Sequence, residues 1–156
     1  MKRKLFKSLH LGKLALSIGI CQLAGIVGSV ATNSALVDWY STLNKPSFTP
    51  PGYVIGAIWV TLFFLMGIAL YLAWEKKVKL TWFWFQLGLN ILWSFLFFGF
   101  RAPSWALLEI FFLWIAILGT IISFWPKVKA ASILLFPYLA WVTIAAGLNY
   151  LIMSLN

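Results

Sequence analysis

The sequence predicts an all-α integral membrane protein, a bundle of five transmembrane helices, and three observations lead there. Sixty-three per cent of the 156 residues are hydrophobic and ten per cent charged, with ten tryptophans, a composition that excludes a soluble globular domain. The apolar residues gather into five spans, roughly 14–37, 53–74, 80–100, 105–125 and 130–153. Each holds about 20 residues, which at a rise of about 1.5 Å per residue crosses a hydrocarbon core of about 30 Å. Backbone polar groups find no water at that depth, so each span must close its own hydrogen bonds as a helix. The alternating signature of a membrane β-barrel is absent. One membrane domain then occupies the whole chain, 1–156, and residues 38–52 form its longest connection.

The N-terminal tail comes first, with Lys2, Arg3, Lys4, Lys7 and Lys13 in its first thirteen residues. A formal charge of +9 raises nucleic acid as a partner. The basic residues sit between apolar spans rather than along one face, so the charge reads as topogenic and nucleic acid is not expected. The tail, Lys76, Lys77 and Lys79, and Lys127 and Lys129 together hold ten of the twelve positive charges on one side of the membrane, leaving Lys45 and Arg101 on the other. That asymmetry predicts a cytoplasmic N-terminus and a C-terminus outside. His10 is expected to be a solvated tail residue without chemistry. The first span has no cleavable signal before it and is read as retained.

The first span carries a ridge at every fourth position, Ser17, Cys21, Gly25, Ser29 and Asn33, with Ala24, Gly28 and Thr32 beside it. Small residues at that spacing let helices approach closely. The ridge serves either packing within the bundle or a homodimer contact, and the spacing does not separate the two. Cys21 is the only cysteine, which leaves no disulfide framework and no cysteine-based metal site.

The connection that follows, Trp39-Tyr40 through Pro46, Phe48, Pro50, Pro51 and Gly52, is stiff and aromatic. Proline fixes φ and pushes the residue before it towards extended backbone, so Lys45 and Thr49 should be extended and a helix should begin only after Pro51. A connection of about a dozen residues without regular structure usually has a task, such as a lid. Trp, Tyr and Phe also favour the headgroup zone, so an interfacial anchor is the competing reading.

The second span brings Gly56 and Trp59 within its first two turns. The third places Gln86, Asn90, Trp93, Ser94 and Phe97 on one helical face. A stripe with amides and a hydroxyl would not choose lipid and should look into the bundle or a cavity. For Asn90 the alternative to a ligand contact is an interhelical hydrogen bond, worth about 0.6–2 kcal/mol. The fourth span opens at Pro103-Ser104, with Ser104 a plausible N-cap. Glu109, about one and a half turns in, is expected to stay near the interface or to pair with Arg101. The fifth holds Pro137, Tyr138 and Trp141, then a notch of small residues, Ala145-Ala146-Gly147, followed by Asn149 and Tyr150.

Depth ties these together. Counting about 1.5 Å per residue from the outer ends puts Trp59, Trp93 and Ala145 about 9–10 Å deep and Asn90 and Trp141 about 15–17 Å deep. Aromatics, an amide and a small-residue notch thus share one level beneath the prolyl connection, the general pattern of a small-molecule site. Aromatic walls suit a flat conjugated ligand, since stacked rings add about 0.5–1.5 kcal/mol per pair.

Trp39-Tyr40-x-x-Leu43-x-Lys45-Pro46-x-Phe48-x-Pro50-Pro51-Gly52 leading to Trp59 resembles the signature stretch of the TspO/translocator protein family, also known as tryptophan-rich sensory proteins or peripheral-type benzodiazepine receptors. Leu89-Asn90-x-x-Trp93-Ser94, Pro137-Tyr138-x-x-Trp141 and Leu148-Asn149-Tyr150 continue the resemblance in order over all five spans. The resemblance implies a five-helix bundle, often dimeric, that binds porphyrins such as protoporphyrin IX and haem in a pocket under the first connection. It also implies synthetic ligands of the isoquinoline carboxamide and benzodiazepine type. By position it implies Tyr40, Pro50, Trp59, Asn90, Trp93, Trp141 and Ala145 as pocket residues, with Trp39, Pro46, Phe48 and Pro51 in the lid. Some bacterial members promote light-dependent porphyrin breakdown, which implicates Trp59 and Trp141 as candidate catalytic residues.

The chain departs from the family at two places. Phe48 stands where many members have Trp, and Ala146-Gly147 where many have a hydroxyl-bearing and aromatic pair, leaving a roomier and less polar notch. Eukaryotic members bind cholesterol through a motif that needs a Lys or Arg after a tyrosine near the end of the fifth span; none follows Tyr150, so cholesterol is not expected.

Three function classes follow. One is a membrane receptor or carrier of tetrapyrroles for transport, sensing or disposal, with porphyrin or haem as ligand and no required cofactor or metal. The second is photo-oxidative degradation of porphyrin. No nucleophile–base pair, metal cluster or nucleotide loop is visible in the spans, so any chemistry would come from the light-excited ligand and nearby indoles. The third, a secondary transporter, is disfavoured by five spans without a visible repeat. The expected setting is a prokaryotic cell membrane.

Overall fold

The computed structural model describes residues 10–156, and five of the helices in them are long and apolar enough to cross a membrane. The basic cluster Lys2, Arg3, Lys4 and Lys7 lies outside the described residues. Helix α1 runs Leu11–Asp38, α2 Gly52–Glu75, α3 Thr81–Ser94, α4 Pro103–Phe124 and α5 Lys129–Leu155. A single 3₁₀ turn, Tyr40–Thr42, interrupts the first connection, and α3 continues into one π turn over Phe95–Gly99. Described residues contain no strand.

Neighbouring helices close a ring in the order α1, α2, α5, α4, α3 and back to α1. The ring is solid at one end. Met66, Leu70, Phe83, Leu113, Ile117, Phe124, Leu135 and Val142 are fully buried in the half that holds the two short connections, between α2 and α3 and between α4 and α5. Phe83 and Phe124 stack there at 6.3 Å between ring centroids. At the end that holds the 39–51 connection the packing is thinner, a cluster of Phe97, Ala106 and Ile152 under Trp39, Tyr40 and Leu43.

Close approach between α1 and α2 depends on two glycines. A Cβ at Gly67 would lie 2.5 Å from Ile18 Cα, and one at Gly25 would lie 2.7 Å from the Phe63 ring. In α1 the buried stripe is Ser17, Cys21, Ala24, Gly28, Ala31 and Ala35. These positions alternate steps of four and three, which stay on one face, whereas a strict four-residue row rotates about 40° per step around a helix of 3.6 residues per turn. The expected ridge therefore starts in the interface at Ser17 and Cys21 and leaves it by Asn33, which is exposed.

Three expectations are corrected. Ser104 does not cap α4: Pro103 takes the first helical position and Ala102 precedes it without a side-chain cap, as suits a residue with no N–H to satisfy. His10 is not merely solvated. Its Nδ1 lies 2.8 Å from Glu75, which also accepts from Lys13 Nζ at 2.9 Å, so the start of α1 is tied to the end of α2. Glu109 does not pair with Arg101. It is buried between helices, and neither carboxyl oxygen has a partner among the described residues. Arg101 sits in the turn before α4 at φ 51° and is exposed.

Candidate ligand-binding cavity

The thinner half encloses a cavity of about 470 Å³ between α1, α2, α3 and α5. From α2, Trp59 and Phe63 reach it, stacked on each other at 5.6 Å. The one-turn spacing between them follows from the helix, since residues four apart share a face. Trp59 also meets Tyr138 edge-on at 6.2 Å, which fixes the indole against the floor.

From α3 come Asn90, Trp93, Ser94, Phe97 and Phe98. Trp93 stacks on Phe97 at 5.0 Å, and Phe97 meets Phe98 at 4.8 Å. An unbroken α-helix would rotate Phe98 about 100° away from Phe97. The π turn widens the helix here, with the Phe100 N–H donating to the Phe95 carbonyl at 2.7 Å, so both rings reach the cavity. π turns of this kind are often found at functional sites.

From α5 come Trp141, Ala145, Leu148 and Asn149. Asn149 accepts from the Trp93 indole at 3.1 Å and donates to the Pro103 carbonyl at 2.9 Å, locking three helices together at the wall. Asn90 donates to the Tyr138 hydroxyl at 2.7 Å. Both readings of Asn90 thus meet in one residue, an interhelical bond and a place on the wall. The Trp141 indole N–H is buried without a partner among the described residues. Helix α1 supplies Gln22 and Thr32 together with Ser29 and Asn33, the polar end of the ridge that rotated out of the helix interface.

Of the residues expected around a ligand, Tyr40, Trp59, Asn90, Trp93, Trp141 and Ala145 lie on this one wall, and Pro50 does not. Among the expected lid residues, Trp39, Pro46, Phe48 and Pro51 do not line it either. The connection is folded on itself instead. Lys45 donates to the carbonyls of Tyr40 at 2.8 Å and Leu43 at 3.0 Å, with its ammonium 4.7 Å from the Tyr40 ring centre. Asn44 and Asn156 exchange backbone and side-chain hydrogen bonds at 2.9 Å, clasping the connection to the end of α5. Trp39 packs edge-on against Phe97, while Phe48 is 66% exposed, as an interfacial anchor would be. Only the two ends of the segment, Tyr40 and Gly52, face the cavity. Burial raises the Tyr40 hydroxyl above its ordinary value, so it stays a neutral donor.

Sequence reasoning missed Phe63, Phe98 and the α1 members. Phe63 was findable from its spacing to Trp59. Phe98 was not, because nothing in a 3.6-residue period announces a π turn.

A family model described as the TspO/MBR family matches residues 17–155.

The chain belongs to the TspO/MBR family.

It is 45% identical over 150 residues to the tryptophan-rich protein TspO of Archaeoglobus fulgidus, covering 92% of this chain and 97% of that one. It is 36% identical over 135 residues to the tryptophan-rich sensory protein of Cereibacter sphaeroides, covering 83% and 85%. It is 36% identical over 136 residues to the human translocator protein, covering 82% and 80%. Like the rest of the TspO/MBR family it is an integral membrane protein, and its relatives include archaeal and bacterial ones.

Proposed function

We propose that this TspO/MBR protein binds a tetrapyrrole, protoporphyrin IX or haem, in the cavity and acts as a membrane receptor or carrier for it. The observation that carries the reading is the convergence of Trp59, Trp93 and Trp141, from three separate helices, on one cavity. A volume of about 470 Å³ falls within the size range of small-molecule sites. Indole and phenyl faces on several sides favour a rigid, flat, conjugated body over a flexible one. Among the described residues no Lys, Arg or His lines the cavity, and an uncompensated carboxylate is costly to bury. The tetrapyrrole would therefore enter with its propionates held at the mouth, near the Asn33 amide and the headgroups. Relatives that carry the names translocator and sensory protein fit carriage and sensing alike.

A second reading is light-driven degradation. Trp59 and Trp141 are oxidisable rings on the cavity wall, next to where an excited porphyrin and dioxygen would meet.

The test is titration of the purified protein with protoporphyrin IX, followed by tryptophan fluorescence. Saturable quenching at micromolar ligand is expected, with weaker binding in Trp59→Phe and Trp141→Phe. Stacking worth about 0.5–1.5 kcal/mol predicts a loss of about 2- to 13-fold per ring. Unchanged emission in the wild type would overturn the reading. Illuminating the same samples in air decides the second: a new product that disappears in the double variant supports degradation, and unchanged porphyrin removes it.

A further inference from the structure

The cavity has a side opening. Below it α1 and α2 touch, at Gly67 on Ile18, Gly25 on Phe63 and the Gln22 amide on the Val60 carbonyl at 3.1 Å. Nearer the 39–51 connection they part. A Cβ at Gly52 or at Gly56 would meet no atom within 4 Å. Helix α1 leans there on α3 instead, with the Gly28 Cβ position 3.1 Å from Ser94 Oγ. The rim of the resulting slot is apolar and faces outward, Ile26 being 58% and Val60 60% exposed. Hydroxyls on the α1 side are already bonded to their own helix, Ser29 to the Ile26 carbonyl at 2.7 Å and Thr32 to the Gly28 carbonyl at 3.2 Å.

We propose that this slot between α1 and α2 takes an acyl chain of the surrounding lipid, so that the cavity communicates sideways with the bilayer. The slot is continuous with the lipid-facing surface of both helices. Water is a poor occupant, because a trapped water needs two to four polar partners, whereas the rim at Ile26 and Val60 is apolar and the nearby Ser29 and Thr32 hydroxyls have already given their protons to their own helix. A methylene chain needs none, and its burial beside Trp59 gains dispersion contacts that an empty slot would forfeit. The inference concerns the mouth of the cavity and does not rest on the tetrapyrrole reading.

The experiment is contact quenching by lipid, without porphyrin. The protein is placed in nanodiscs at one chain per disc, in lipids brominated in the upper acyl chain. The emission contributed by Trp59 is read as the difference between wild type and Trp59→Phe. It should be lost to the same extent as that of Trp105, which is 66% exposed and read in the same way. Gly56→Phe, which has free space for its side chain, should restore the Trp59 emission, and Gly56→Ala should not. Three outcomes would overturn the proposal: Trp59 emission untouched by brominated lipid, equal quenching in Gly56→Phe, or protection of Trp59 at two chains per disc, which would make a second copy the occupant. The Trp105 reference checks that each variant is folded and inserted.

Discussion

At the scale of single residues, the polar groups in the bundle are divided between holding helices together and facing the cavity. Asn90 does both, and its bond to Tyr138 joins α3 to α5 at the floor. Tyr138→Phe keeps the ring that meets Trp59 and removes only the acceptor. Hydrogen bonds between membrane helices contribute about 0.6–2 kcal/mol, so the variant should unfold more easily by about that amount in detergent, measured by thermal or denaturant melts. Unchanged stability would mean that Asn90 finds another partner at no cost. The need for a partner was legible in the sequence, because an amide on an apolar stripe cannot face lipid. Its identity was not, since Tyr138 lies 48 residues away and pattern along one helix is silent about the next. Lys45 shows the same limit. As a lone cation on a loop it read as a topological marker, whereas it gathers the carbonyls of Tyr40 and Leu43 and so shapes the connection.

At the scale of elements, glycines decide where helices meet and where they part. Gly67→Ala would force a Cβ to within 2.5 Å of the α1 backbone. Overpacking of this kind costs about 1–3 kcal/mol. Gly56→Ala places its methyl in open space, and replacing a helical glycine gains up to about 1 kcal/mol. The two variants, melted side by side, should therefore move in opposite directions, although both are Gly→Ala in the same apolar helix. The five helices themselves were legible, because about 20 apolar residues in a row leave the backbone no alternative in lipid. Their ends differ from the expected spans by up to a few residues, most at Leu11, where α1 begins three residues early. Composition marks the hydrocarbon core well and helix ends poorly. The α1 ridge and the π turn were less legible for a shared reason. Each depends on small departures from a fixed step around the helix, a drift of about 40° in one case and one extra residue in a turn in the other.

At the scale of the whole molecule, charge distribution predicts which way the bundle sits. Among the described residues Lys13, Lys76, Lys77, Lys79, Lys127 and Lys129 lie at the end of the short connections and Lys45 and Arg101 at the other, so the end of the short connections should be cytoplasmic. Paired C-terminal fusions test it: alkaline phosphatase should be active and green fluorescent protein dark, and the reverse pattern would invert the topology. That the helices form one bundle was carried by family resemblance as well as by hydropathy, whereas their order around the ring was not legible, because hydropathy counts spans without ordering them in space. The uneven packing of that ring has a consequence for traffic. Beneath Trp59 and Trp141 the bundle is filled by fully buried Met66, Leu70 and Tyr138. That filling acts as a stopper on the side of the short connections, so conveyance of a guest across the bilayer would require the stopper itself to come apart.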